Sequence, residues 1–211
     1  TSMSKAVMLS HHNIVANVYS TTTTEPFFDT DVNMAFLPYH HTFGSTGQVI
    51  MIASGACTAY CDGIKYLQKN LVEYNVSIFI CVPLLIESIY KKIIIQAEKQ
   101  GKLNLVKMTS KFSGGLLKIG IDVRRKLFKS ILDQLGGNIR FIISGASACD
   151  PAALKGFNDF GILTVQGYGL TETSPVLTAE NAHNIRMGSV GKPVPNVKIK
   201  INDPNVEGIG E

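Results

Sequence analysis

The ten residues from Gln166 to Pro175, QGYGLTETSP, gather side chains suited to a flat, phosphorylated, metal-bound ligand. Gly167 and Gly169 flank an aromatic residue, so the backbone can approach such a ligand while Tyr168 offers a stacking face. Thr171 supplies a hydroxyl for a phosphate oxygen, and Glu172 a hard oxygen ligand for Mg²⁺. The same residues also read as a glycine-rich turn followed by a helix start capped by Ser174-Pro175. Other reactive types are less telling by themselves. The adjacent His40 and His41 suit ordinary packing or surface placement as readily as chemistry, and His11, His12 and His183 read as structural or exposed. Lys5, taken alone, reads as a solvated lysine.

These residues need a scaffold, and the chain alternates short apolar runs with helical patterns, as an α/β layer architecture does. Strands are predicted at residues 31–37, 56–60, 76–82, 140–143 and 162–165, the third a β-branched run covered on both faces. Helices are predicted from a Ser10 cap to about Thr21, over 43–54 as an element buried nearly all round, over 64–74, and from Pro83 to about Gln100. Two more are expected, over 121–135 and after the Asp150-Pro151 cap pair. Residues 102–120, with Gly114-Gly115 and mixed polarity, give no clear reading. Residues 196–202 alternate strictly and predict a strand with one wet face. The motif therefore follows a strand directly, at the end of the sheet where open α/β folds bind ligands. A composition shift near Gly188 divides residues 1–187, an α/β core, from residues 188–211, the start of a β-rich subdomain.

Composition excludes several classes. A chain of 211 residues with 45% apolar and 17% charged residues can bury a substantial core and is not disordered. The net charge of +4 is small, and Arg124-Arg125-Lys126 lacks interleaved aromatics, so a solvated helix face is expected there and no nucleic-acid partner. The four cysteines have no Cys-x-x-Cys spacing and are expected as buried free thiols in a reducing, cytoplasmic setting. No signal peptide is read at the start, and no apolar run is long enough to be a transmembrane segment or reads as an amphipathic membrane helix.

The order GYGLTETSP resembles the signature loop of the adenylate-forming enzymes, the superfamily of acyl-CoA synthetases, luciferases and peptide-synthetase adenylation domains. Further segments agree in order: TSMSKA at residues 1–6 with the second half of the family's phosphate loop, LPYHHTFG at 37–44 with its leucine-proline segment, SGASAC at 144–149 with its adenine-side strand end, and GSVGKP at 188–193. Within the superfamily the chain is most similar to bacterial long-chain fatty acid-CoA ligases, through SKAVMLSHHNI, KYLQKNLVEYNVSIFICVPLLIESIYKKI and KGFNDFGILTVQGYGLTET.

The resemblance implies a parallel-rich sheet flanked by helices, part of an acyl-CoA synthetase N-terminal domain. It implies activation of a fatty acid or other carboxylic acid by ATP and Mg²⁺ to an acyl-adenylate, which CoA then attacks as cosubstrate. It places Lys5 at the β- and γ-phosphates with Thr1 and Ser2 beside it, Thr171 on a phosphate, and Glu172 on Mg²⁺. Tyr168 would stack on adenine, with Gly145, Ala146 and Ser147 on its other side, and Gln166, Gly167, Gly169 and Leu170 would complete the nucleotide loop. His41 would lie beside the carboxylate and acyl tunnel. Ser2, Ser4 and Ala6 stand where the family more often has glycine, proline and glycine. The family's ribose-binding aspartate, hinge and C-terminal domain would lie past Glu211, so the segment reads as an internal piece of a longer enzyme that does not turn over alone. An aryl-CoA ligase, a carrier-protein-loading domain and a non-catalytic nucleotide-binding module are the alternatives.

Overall fold

A computed structural model describes residues 5–206. Its strands are β1 (Val32–Ala35), β2 (Cys57–Tyr60), β3 (Ile78–Cys81), β4 (Phe141–Ser144), β5 (Leu163–Gly169), β6 (Val176–Ala179) and β7 (Lys192–Pro193). They form one sheet in the order β2-β1-β3-β4-β5-β6-β7. The first five strands run parallel, and β6 and β7 are antiparallel.

Helices cover both faces. On one side lie α1 (His11–Thr22) and α2 (Thr42–Ala53), packed over Ile78, Ile80, Phe141 and Val165. The other carries α3 (Leu67–Glu73), α4 (Pro83–Lys99) and α8 (Pro151–Asp159), around Phe79, Cys81, Ile142, Phe157 and Phe160. Alternate residues of β3 thus enter opposite cores, as a strand's two-residue period requires. Outside this second layer run α5 (Leu103–Lys118), α6 (Arg124–Leu127) and α7 (Lys129–Asp133).

The local signals act as expected where a cap or proline sets them. Ser10 accepts from the Asn13 amide at 3.1 Å, Asp150 accepts from the Ala152 amide at 2.8 Å, and Pro83 and Pro151 open their helices. The sheet is tied at the amino ends of its strands by a buried carboxylate. Asp31 accepts from Arg140 Nε at 2.8 Å and Nη2 at 2.5 Å, from Ser77 Oγ at 2.7 Å, and from the Phe28 amide at 2.8 Å. Burial alone would raise the Asp31 pKa, but these donors and the guanidinium charge together hold it below the ordinary value.

Several expectations are corrected. Residues 102–120 contain the sixteen-residue α5. Residues 121–135 form two short helices, and Arg124 and Arg125 turn inward. Arg124 reaches Asn158 O at 2.8 Å, and Arg125 reaches the carbonyls of Gly137, Ile139 and Gly161. The expected solvated face is therefore a clamp that ties α6 to the α7–β4 loop and to the end of α8. The α2 helix is buried on one face only, with Val49 and Ile52 exposed. Cys81 and Cys149 are buried but Cys57 is exposed. Residues 196–202 form no strand: no described strand pairs with them, and Ile199 and Ile201 stay exposed. Past Gly188 the chain adds β7 to the same sheet.

Candidate active site

The motif's first four residues are strand, not loop. β5 pairs in parallel with β4 as far as Ser144↔Gln166, then pairs antiparallel with β6 from Gly167↔Ala179. Missing side chains make this change of partner possible. A Cβ on Gly169 would fall 1.9 Å from the Pro175 carbonyl oxygen, and one on Gly167 would fall 3.2 Å from that of Thr178. The chain then turns through a short 3-10 segment, Thr171–Thr173, and returns as β6. Thr173 fastens the turn: its hydroxyl accepts from the Leu170 amide at 2.9 Å and donates at 2.5 Å to Pro175 O.

Buried polar groups hold this turn from behind. Asn17, on α1, donates to Val176 O at 2.7 Å and accepts from the Val176 amide at 3.2 Å. Glu180 is 2% exposed, and its carboxylate accepts from the amides of Gln166 at 3.0 Å and Arg186 at 2.9 Å. The Gln166 side chain accepts from the Cys149 amide at 3.0 Å and donates to Ser189 O at 3.3 Å. Burial, with the Glu87 carboxylate nearby, pushes the Cys149 thiol up to about 11, and burial raises Cys81 well above the ordinary thiol range. Both stay protonated near neutrality, so the described structure offers no thiolate nucleophile there.

In front of the turn lies a cleft of about 520 Å³, a size suited to small-molecule binding. Its floor is apolar, with Ile80 and Val82 from the β3 end, Ile143 from β4 and Val165 from β5, facing Phe43 and Ile50 of α2. Its rim is polar. His41, Gln166, Tyr168, Thr171 and Glu172 reach it, together with Gly145, Ala146, Gly167, Gly169 and Leu170. Tyr168 is 46% exposed, and Thr171 and Glu172 are exposed beside it. The three side chains form no hydrogen bond with a described residue and so remain available to a ligand. Ser147 and Lys5 are exposed but do not line the cleft, and Thr1 and Ser2 lie outside the described residues.

Phe43 was not singled out from sequence, and the backbone conformation of Ala146, which the resemblance places beside adenine, was not foreseen. The Phe43 ring closes on the backbone at Gly145, where a Cβ would meet Phe43 Cζ at 3.0 Å. Ala146 holds φ +77°, a left-handed conformation that a residue with a side chain adopts only under constraint. Neither the apolar run of α2 nor an alanine signals such a role. Asn17 did carry a signal, as a poor helix former in mid-helix. The rings of His40 and His41 meet at a tilt of 45° with centroids 4.4 Å apart, and His41 stands at the N-terminal boundary of α2 without capping it.

Among the described residues no group of three or more His, Cys, Asp or Glu side chains forms a metal cage. A lone exposed carboxylate at a rim fits Mg²⁺, which is commonly held by one or two carboxylates and substrate phosphates.

The sequence pattern of the AMP-binding enzyme family matches residues 1–210. The chain belongs to that adenylate-forming family. Relatives include long chain acyl-CoA synthetase 6, peroxisomal, of Arabidopsis thaliana, 30% identical with 96% of this chain and 30% of the relative aligned. Long-chain-fatty-acid–CoA ligase 6 of Mus musculus is also 30% identical, over 94% of this chain and 30% of its own length. The chain thus spans about a third of these relatives. Among solved structures, the inhibitor-bound N-terminal domain of FACL13 from Mycobacterium tuberculosis superposes with a TM-score of 0.68 at 17% identity, covering 97% of this chain and 43% of that one. The anthranilate CoA ligase AuaEII bound to anthranoyl-AMP does so with 0.66 at 17% identity, over 97% and 34%. These likenesses establish the fold as that of an adenylate-forming N-terminal domain. No helix among the described residues is long and apolar enough to cross a membrane.

Proposed function

We propose that the protein carrying this segment activates a long-chain fatty acid with ATP and transfers the acyl group to CoA. One observation carries the reading: a single cleft joins an apolar floor to a polar rim bearing Tyr168, Thr171 and Glu172. The floor suits an alkyl chain and the rim a nucleotide, so the fatty carboxylate would meet the α-phosphate where the two zones join. The long-chain acyl-CoA synthetases aligned along nearly the whole segment support the choice of acid.

In this reading the Tyr168 ring stacks on adenine, opposite the backbone of Gly145 and Ala146, and Gln166 to Leu170 shape the nucleotide edge. Thr171 donates its hydroxyl to a phosphate oxygen, and Glu172 holds Mg²⁺, which offsets phosphate charge when bound. His41 lies where the carboxylate would enter and can donate a hydrogen bond to it. Lys5 and Ser147 would reach the nucleotide only from outside the cleft wall. The carboxylate oxygen attacks the α-phosphorus, the bond to the bridging oxygen breaks, and pyrophosphate leaves. CoA sulfur then attacks the acyl carbon, and AMP leaves. Positioning and charge neutralisation dominate such chemistry.

The test is ATP–pyrophosphate exchange by the full-length protein with a panel of straight-chain, aromatic and amino acids, followed by thioester formation with CoA. Exchange driven by long-chain acids and completed with CoA is expected. Exchange confined to aromatic acids or amino acids, or ATP binding without exchange, would replace this reading with one of the alternatives.

A further inference from the structure

The α5 helix is the most peripheral long element of the fold. Only Ser113 of its sixteen residues is buried, and none of them lines the cleft. It lies against α4, α6 and α8, on the face of the sheet opposite α1 and α2. Leu105, Met108 and Phe112 recur at three- and four-residue spacing and so form one outward ridge. They are 61%, 68% and 61% exposed, and the ridge continues past the helix into Ile119 at 71% and the exposed Ile121. Lys107, Lys111 and Lys118 form a second exposed row beside the ridge, since their helical positions cluster within one narrow arc.

The charge here is lopsided. From Lys99 to Ile121 there are five lysines (Lys99, Lys102, Lys107, Lys111 and Lys118) and no aspartate or glutamate. That exceeds the +4 of the whole chain, so the remainder carries one net negative charge.

Against the expectation from sequence that no amphipathic membrane helix is present, we propose that α5 is a membrane-surface helix that docks the protein on an anionic bilayer. The apolar ridge enters the boundary between headgroups and acyl chains, and the lysine row meets the anionic headgroups, its alkyl stems lying along the ridge. The 16 residues of α5 make a helix of about 24 Å, long enough to lie in the interface plane. Charge selects this occupant over a second copy of the chain, because a symmetric pairing would set five lysines against five. Headgroups of phosphatidylglycerol or phosphatidylserine type supply the missing negative charge. The cleft, bordered by α1 and α2, remains open to water and to ATP.

The test uses the full-length protein and vesicles of phosphatidylcholine with or without a minority of phosphatidylglycerol, read by co-sedimentation. Wild type should bind the anionic vesicles preferentially, and added salt should weaken that binding. The charge-reversed pair Lys107→Glu/Lys111→Glu should lower binding by about tenfold or more. Met108→Ser/Phe112→Ser should lower it comparably while shifting the vesicle-free melting midpoint by no more than about 2 °C, as surface substitutions do. The proposal is overturned if wild type shows no preference for anionic vesicles or if either pair binds like wild type. It is equally overturned if the serine pair lowers the midpoint by many degrees, which would show that another part of the protein covers the ridge.

Discussion

Replacing Gly169 with alanine would set a methyl carbon 1.9 Å from the Pro175 carbonyl oxygen and 2.7 Å from its carbon. Ordinary contact begins near 3.4 Å, so β5 and the returning strand would have to separate by about 1.5 Å, a typical overpacking strain of about 1–3 kcal/mol. The obstructing atom is backbone and cannot rotate away. It also accepts from the Leu170 amide at 3.0 Å and the Thr173 hydroxyl at 2.5 Å, so moving it displaces the turn that carries Thr171 and Glu172. Misplacing a reacting group by about 1 Å can cost about a hundredfold in rate, or about 2.7 kcal/mol at the transition state. ATP–pyrophosphate exchange by the full-length protein should therefore show kcat/KM for ATP reduced by about two orders of magnitude. Gly115→Ala is the matched control, because its Cβ would meet nothing within 4 Å. In mid-helix it should leave exchange unchanged and stabilise by up to about 1 kcal/mol. Wild-type kcat/KM in Gly169→Ala, with an unaltered melting midpoint, would refute the claim that this glycine sets the turn.

Two further outcomes follow from the buried groups. Asp31→Asn removes the charge facing Arg140 and should cost about 3 kcal/mol, the low end for a broken buried pair because Arg140 is partly exposed. Since the folded-state pKa of Asp31 is depressed, its stabilising effect is complete above the unfolded carboxyl value of about 4 and is lost as pH falls through the folded value. Melting curves across acid pH should show that loss in wild type and a flatter profile in the variant; parallel profiles would contradict it. In native protein a thiol reagent should modify exposed Cys57 quickly, and Cys81 and Cys149 only after unfolding. Prompt native reaction at either buried thiol would disprove the packing described beneath Gln166.

The parts of the fold legible in sequence are those fixed by local chemistry. The β-branched run around β3, the prolines opening α4 and α8 and the Ser10 and Asp150 caps each specify an element with little help from tertiary contacts. β5 runs past the strand expected over 162–165 because Gly167 and Gly169, which look like turn residues, both serve the close approach of β6. Residues 196–202 have the alternation of a strand but no described partner to pair with, and alternation alone satisfies no backbone hydrogen bond. α5 was obscured by two mid-helix glycines and by an apolar ridge facing outward. Arg124 and Arg125 misled because an arginine's role depends on which carbonyls surround it, and these come from residues 12 to 36 positions away. At the cleft, residue order pointed to Tyr168, Thr171 and Glu172. The supporting contacts of Asn17, Glu180 and Phe43 exist only across the folded sheet.

The most direct test of the nucleotide reading is the Mg²⁺ dependence of ATP–pyrophosphate exchange in Glu172→Gln. Glu172 is exposed and hydrogen-bonds to no described residue, so the neutral isostere should leave the melting midpoint unchanged. Exchange is expected to fall by about a hundredfold or more at moderate Mg²⁺, as when one stabilising group of an active site is removed, with partial recovery as Mg²⁺ is raised. Wild-type exchange with wild-type Mg²⁺ dependence would contradict the assignment of this cleft to metal-bound ATP.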